Sequence, residues 1–466
     1  MANLIGTTRI ELMDVTTGET ERYEKHNMIT NALGDLFKPL GMLNYANRYY
    51  NEFLPYYEKL LGGILCFDKV IPEETDNYYP PADAALIGCA VYGEQNNTKN
   101  TIRGGFNQTE SEVNLKDRYV KYVYDFSTSQ ANGTIASICL THKNGGYTSY
   151  GGKDSVYNSQ NPLVQSICSD VLHYVYPSYT GADTGSRYSG IVVGTTEAIF
   201  VMDIDEDCAY YFKMVDKTHI HIIKRKAYLK SVSIIENCYQ QKALIEEIEL
   251  EELEQELNTN YRGYNYDPET ECLYIWTSSK YPFGSGDEMQ LTQIKFGTWE
   301  IKQYRLVNAT DVRLRNDSSW RCFVTNGYIL MKTYDSPYNV YKININNPAD
   351  AVMLTKAGLD YVSGYPKFVI NGRVYYEDGY NQLVIANLDK NEIMKPEAIS
   401  LLGNNEQYNY TPVRGNKMLY YVDLGSRAAA GWRVMCNYLA TINNLDVPVI
   451  KTADKTMKIT YILQEQ

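Results

Sequence analysis

Three acidic residues stand at alternate positions, Asp203, Asp205 and Asp207. That spacing resembles the opening of a calcium loop, because hard cations want several carboxylate oxygens. The glycine that should follow the third acid is Cys208, and no glutamate stands at the closing position, so a solvated turn is the expectation. His219 and His221 lie two apart on an expected strand and would face one way, as zinc ligands can. No third ligand follows at metal spacing, and Lys224, Arg225 and Lys226 would repel a cation, so a surface strand is expected. From 246 to 256 the chain carries seven glutamates, with Leu244 and Ile248 on one helical face and Leu250, Leu253 and Leu257 on another. Read as a helix, 236–260 is an acidic insertion that packs on a β-rich body, contacts a neighbouring subunit, or is simply solvated.

Asn316-Asp317-Ser318-Ser319-Trp320 resembles the Asp-box turn of sialidases but lacks its glycine, and no arginine triad accompanies it. Glycosidases need two carboxylates flanking the sugar bond, and 56 acidic residues make pairs easy to imagine without singling one out. Gly-x-Ser-x-Gly, phosphate-loop and Gly-x-Gly-x-x-Gly motifs are absent from the sequence. No catalytic, cofactor-binding or metal-binding residue is therefore assigned and no cofactor is expected. The chain reads as a non-enzyme, with a glycoside hydrolase as the alternative.

The elements that would position any site are repeats. Asn326-Gly327 opens a hairpin through Tyr328–Met331, a turn at Tyr334-Asp335-Ser336-Pro337, and Asn339–Ile343. Asn371-Gly372 opens a near-copy through Arg373–Tyr376, a turn at Asp378-Gly379, and Asn381–Ile385. Asn-Gly supplies the left-handed backbone of a tight turn, and β-branched and aromatic residues suit a half-buried pleat. Gly327 and Gly372 are 45 residues apart, and Gly415-Asn416 begins a third copy. Going backwards, Cys272–Trp276 and Ile199–Met202 align, the second only after the acidic insertion is removed, and Gly133–Leu140 is the earliest candidate. About six units of period about 45 point to a mainly β chain with a β-propeller-like domain at 126–436. A β-sandwich or a stack of meanders is the other reading.

Length leaves room for more than one domain. Residues 5–25 read as a hairpin, Thr30 as the cap of a short helix over Leu33, Leu36 and Phe37, and 55–61 as a second helix. Met457–Leu463 alternates as a strand, and the N-terminal hairpin is its natural partner. We therefore expect a smaller α+β or β-sandwich docking domain formed by 1–125 and 437–466. The net charge of −12 argues against nonspecific nucleic-acid binding. No apolar run is long enough to insert in a membrane, and no signal peptide is read at the start. Nine scattered cysteines without a Cys-x-x-Cys pair fit reduced, buried thiols. Tyrosine is unusually frequent, 44 against 11 phenylalanines, and suits half-exposed contact surface as well as amphipathic strand positions.

Several stretches resemble a family of virion proteins of phages and prophages of Firmicutes, usually described as tail or minor structural proteins. They are Thr7–Val15, Glu24–Leu33, Tyr57–Gly63, Ala131–Ser137, Leu140–Tyr147, Tyr438–Leu445 and Lys451–Lys458. The resemblance spans both ends of the chain and is thinnest in the repeats. It implies a structural protein of the bacteriophage virion, made in the host cytoplasm and attached to tail, neck or baseplate as an appendage. The implied partners are other virion proteins and further copies of itself, with host surface polysaccharide as a candidate receptor; a purely structural adaptor and a free glycan-binding or glycan-cleaving propeller are the alternatives. The family offers no catalytic residues to transfer, and the receptor-binding residues are unknown.

Overall fold

The computed structural model describes residues 4–31, 33, 61–77, 80, 84–96, 100–141, 194, 197–203, 205–206, 208–226, 244–258, 260–316, 322–357, 366–370, 372–377, 383–394, 410–411, 413–414, 420–423, 431–434 and 438–465. The named elements among these residues are strands, with Asn31 and Leu33 helical just after the second of them. The first eight strands are β1 (Leu4–Asp14), β2 (Thr20–Ile29), β3 (Gly63–Phe67), β4 (Leu86–Ala90), β5 (Gly105–Phe106), β6 (Glu112–Asn114), β7 (Tyr119–Phe126) and β8 (Gly133–Thr141). Next come β9 (Glu197–Asp203), β10 (Cys208–Met214), β11 (Ile220–Lys226) and β12 (Leu244–Glu249), then β13 (Tyr261–Asp267), β14 (Cys272–Ser278), β15 (Glu288–Lys295) and β16 (Ile301–Val307). A third group is β17 (Cys322–Thr325), β18 (Tyr328–Lys332), β19 (Val340–Asn344) and β20 (Ala351–Met353). A fourth is β21 (Thr355–Ala357), β22 (Pro366–Ile370), β23 (Arg373–Glu377), β24 (Leu383–Asn387) and β25 (Glu392–Met394). After β26 (Tyr410–Thr411), β27 (Val413–Arg414), β28 (Tyr420–Asp423) and β29 (Gly431–Val434), the chain returns through β30 (Thr441–Lys451) and β31 (Lys455–Glu465).

The head is one sheet in the order β4-β3-β8-β30-β2-β1-β31-β7-β5. β31 lies antiparallel along β1 from Leu4–Glu465 to Asp14–Lys455, and along β7 on its other side. Alternation puts Ile10, Ile459 and Tyr124 in one cross-strand row and Leu12, Met457 and Phe126 in the next, all buried in the same core. The sheet curls until its edges nearly meet: Cys89 N–H donates to Ile102 C=O at 2.8 Å and Gly104 N–H to Cys89 C=O at 2.9 Å, tying β4 to the segment that leads into β5. The seam between β2 and β30 is short, holding only the pairs Met28–Ile442 and Ile29–Thr441. Thr30 stands just before helical Asn31 and Leu33, and its hydroxyl donates to Leu439 C=O at 2.6 Å.

Two expectations change here. Gly133–Thr141, expected to open the repeats, pairs with β3 and β30 and belongs to the head, because its run of buried residues completes the head core. The head, expected as an α+β or β-sandwich domain, is a nearly closed, barrel-like sheet; most of the helical stretches expected in it fall outside the described residues.

Between β8 and β30 the described strands make five sheets, and their arrangement is propeller-like. The strand pairs are antiparallel apart from β21 with β25 and β27 with β9, and strands of different sheets lie beside one another: β9 beside β13, β13 beside β17, β17 beside β22, and β26 beside β9. Period-2 alternation explains why strands such as Cys272–Ser278 are apolar without a break. Leu273 and Ile275 pack against Phe200 and Phe212 of the first sheet, whereas Cys272, Tyr274 and Trp276 pack against Val324 and Ile329 of the third. Ile329 and Met331 face back to the second sheet, and Leu330 faces Val374 and Tyr376 of the fourth. Asn326 and Gly327 take φ of 48° and 77° in the two-residue turn from β17 to β18, as the Asn-Gly pair demands.

The described part of the expected acidic helix over 236–260 is not helical. It is β12, which pairs with β11, followed by an extended segment to Asn258. As a strand it sets Glu246 opposite Lys224 and Glu249 opposite His221, and its leucines then serve the core: Leu250, Leu253 and Leu257 are buried against the first two sheets. The alignment of the units changes as well. Ile199–Met202 lies on the first strand of its sheet, whereas Cys272–Trp276, Ile329–Met331 and Val374–Tyr376 lie on second strands, so the alignment joined unlike positions. The turn at Asp378-Gly379 lies outside the described residues.

The contact of β1 with β31 gives a direct test. A Cβ on Gly6 would lie 2.6 Å from the Tyr461 hydroxyl and 3.1 Å from Asn27 Nδ2. Gly6→Ala is expected to cost about 1–3 kcal/mol by overpacking. Tyr461→Phe removes the obstructing oxygen, so urea unfolding of the four proteins of the double-mutant cycle should show most of that cost recovered. An equal loss in both backgrounds would place the strain elsewhere.

Candidate functional site

The residues singled out for metal chemistry do not assemble. Asp203 is buried at the end of β9, where it accepts Glu206 N–H at 3.1 Å and Arg414 Nη1 at 2.9 Å. Asp207 is outside the described residues. His219 sits in the turn before β11, not on the strand, with Nδ1 2.9 Å from Asp216, whose hydrogen bond raises the imidazole pKa. His221 Nδ1 lies 2.7 Å from Glu247 on β12. Lys224 pairs with Glu206, and Arg225 with Glu197 at 2.8 Å. No group of three His, Cys, Asp or Glu among the described residues could hold a metal ion. Of the Asp-box-like stretch only Asn316 is described, buried and donating to Lys280 C=O at 3.0 Å. Six described cysteines are buried, and burial pushes the Cys89 thiol up to about 12.

Arg414 explains where Asp203 is used. β27 pairs in parallel with the first strand of the first sheet, Val413 beside Met202 and Arg414 beside Asp203. The guanidinium also reaches Glu271 at 3.3 Å and lies 4.3 Å from the centre of the Phe296 ring. Arg414, on the strand that closes the first sheet, thus ties that sheet to the second. Nearby, Asp267 ends β13, fully buried, accepting Glu269 N–H at 3.0 Å and Thr270 Oγ1 at 2.8 Å. Burial raises its carboxyl to about 6 against the pull of those bonds. Both acids are structural; neither opens onto a substrate.

A different surface has the features of a binding site. Three segments meet beside the second and third sheets: the β14–β15 loop, the stretch after β16, and the β18–β19 turn. Phe283 and Leu314 exchange backbone hydrogen bonds at 2.9 Å, Arg315 N–H donates to Lys332 C=O at 2.8 Å, and Tyr334 N–H to Arg313 C=O at 2.7 Å. Buried Asn308 donates to Phe283 and Val312 carbonyls at 2.9 Å, and Thr333 Oγ1 accepts Asn339 N–H at 2.9 Å, so the loops form a fixed floor. Half-buried tyrosines stand on that floor. Tyr261 and Tyr281 have ring centres 5.5 Å apart, and Tyr281 meets Tyr334 edge-on at 5.6 Å. Arg313 lies 5.0 Å from the Tyr334 ring and is held by both oxygens of Asp335 at 2.7 and 3.0 Å. Arg315 lies between Tyr334 and Tyr338, 5.3 and 5.4 Å from their centres. Rigid aromatic rings beside a cation suit recognition and supply no nucleophile or general base. Sequence reading missed this surface because its tyrosines come from three separate segments.

No protein-family model matches the chain, and no curated protein matches it. Among solved structures the chain is similar to an acylaminoacyl peptidase from Pyrococcus horikoshii, with TM-score 0.25 and 11% identity over 66% of this chain and 41% of the peptidase. It spans about two fifths of that peptidase's length. It is also similar to the β-propeller domain of the Trilobed protease from Pyrococcus furiosus, with TM-score 0.24 and 9% identity over 69% of this chain and 78% of that domain. A third is an uncharacterized protein from Listeria monocytogenes EGD-e, with TM-score 0.23 and 8% identity over 77% and 96% of the two chains. At these scores the likenesses carry no argument about activity, and the propeller-like reading rests on the order of the sheets.

Two predictions follow from the buried acids. Arg414→Met strands Asp203 without its cation and is expected to cost about 3 kcal/mol; adding Asp203→Asn should return much of it in urea unfolding, whereas additive losses would mean the pair is not coupled. Asp267 binds its proton more tightly folded, at about 6, than at the ordinary 3.8. Between those values the folded state holds the extra proton, so stability falls as pH rises from about 4 to about 6 and stays lowered above that. The shift corresponds to about 3 kcal/mol. Asp267→Asn should remove that part of the pH dependence in melts recorded from pH 4 to 8; identical profiles for the two proteins would refute the assignment.

Proposed function

We propose that this chain is a structural, non-enzymatic component of a bacteriophage particle, a tail- or neck-attached appendage whose head sheet docks and whose sheets β9–β29 form the presented body. The observation that carries the reading is where the family-like stretches fall. Thr7–Val15 lies almost wholly on β1, Glu24–Leu33 covers the end of β2, Ala131–Ser137 enters β8, and Tyr438–Leu445 and Lys451–Lys458 cover the start of β30 and the passage into β31. Five stretches from opposite ends of the sequence thus converge on adjacent strands of one sheet. That pattern supports a shared docking module carrying a divergent body. The absence of an assembled catalytic or metal constellation among the described residues is compatible with it.

Peptide mass spectrometry of purified particles induced from the source bacterium tests the reading. Peptides of this chain should copurify at a fixed ratio to a tail or portal protein. Abundance in the medium together with absence from particles would discard it and favour a free glycan-binding or glycan-cleaving protein.

A further inference from the structure

Arg315 stands out by what it lacks. Most described arginine side chains, Arg9, Arg22, Arg103, Arg118, Arg225, Arg305, Arg313, Arg373 and Arg414, meet a carboxylate within 4 Å. Arg262 and Arg315 meet none among the described residues. The Arg315 Nε is buried without a hydrogen-bond partner among the described residues, and its Nη2 makes only a long 3.4 Å bond to Tyr334 C=O. In a chain of net charge −12, most described arginines have an acid beside them, and Arg315 instead has tyrosine rings. It is also fixed in place: its backbone N–H is bonded to Lys332, and Tyr334 and Tyr338 hold the guanidinium from two sides.

A planar, always-charged fork recognises carboxylate or phosphate through paired hydrogen bonds. Beside it the Tyr334, Tyr281 and Tyr261 rings continue at successive spacings of 5.6 and 5.5 Å. The large hydrophobic side chains that are strongly exposed elsewhere, such as Leu115, Val447 and Ile450, have no counterpart among the described residues of this surface. A ligand here meets polar-tipped rings and a cation, without an aliphatic anchor. We infer that this surface binds an acidic polysaccharide, with sugar rings against Tyr281 and Tyr261 and an acid group on Arg315. The inference deepens the appendage reading by naming what the body holds, and it rests on that reading for its biological setting.

The test uses the full chain and isothermal titration against three polymers of similar length: polygalacturonate, a poly(glycerol phosphate) and neutral dextran. One acidic polymer or both should bind at least ten-fold more tightly than dextran, and the two together tell carboxylate from phosphate. Arg315→Met should lose ten-fold or more in that binding. Arg315→Lys, which keeps charge but not the fork, should fall between, with a melt like the wild type as the folding control. Tyr281→Ala should weaken binding without abolishing the preference for acid. Equal binding of acidic and neutral polymers, no loss in Arg315→Met, or binding of polyglutamate in place of the polysaccharides would overturn the inference. Its failure is separable from failure of the particle reading: the chain found in particles with no acidic-polymer binding sinks only this inference, and binding by a chain absent from particles sinks only the other.

Discussion

Each middle sheet of the body must bury both of its faces, and much of the structure follows from that requirement. A strand such as β14 sends Leu273 and Ile275 one way and Cys272, Tyr274 and Trp276 the other, so one sheet is core to two neighbours at once. No such sheet could be stable alone, since its second face would be apolar and wet. The series therefore has to continue, and its ends have to meet something. They meet where β26 lies beside β9 and β27 pairs with β9, and there Arg414 is bonded to Asp203. That junction depends on one charge being matched, because a buried carboxylate without its cation is costly.

The side-chain amide of Asn265 shows how near the first strands lie to one another. It donates to Val324 C=O at 2.9 Å and accepts Val324 N–H at 2.8 Å, standing in for a backbone strand between two sheets that have no ladder in common. Tyr264 reaches the other way, its hydroxyl on Ile199 C=O at 2.9 Å. Polar contacts therefore link the inner strands, while apolar contacts fill the space between the sheets. The tyrosine surface lies on the loops at the edge of the second and third sheets, where the floor is fixed by backbone bonds and the rings remain half exposed.

The repeat was legible because Asn326-Gly327 and Asn371-Gly372 carry their own turn chemistry and because the strands after them alternate within an apolar run. Its first unit was not, since β12 is an edge strand whose glutamates match basic residues of β11, and such a strand has the composition of a solvated helix. Gly133–Thr141 has the pattern of a repeat strand; what assigns it to the head is a partner, β30, that follows some three hundred residues later, as the Leu140–Thr441 bond shows. Arg414 and Asp203 are 211 residues apart, and nothing local to either predicts the other. The same holds for Arg315: its neighbours Tyr334 and Tyr338 are ordinary turn residues until the turn is laid beside it.

β31 lies inside the head sheet, flanked by β1 and β7, and not at its edge. A chain emerging from the ribosome releases β1, β2 and β7 long before the strand that joins them. Until residues 455–465 are out, Ile10, Leu12 and Tyr124 have no row to complete, and the two halves of the head are held apart by an absent middle. The body, built from neighbours in sequence, can form in the meantime, because contacts between nearby segments close quickly and distant ones slowly. The order of synthesis thus allows the body to form before β31 joins β1 to β7 in the head.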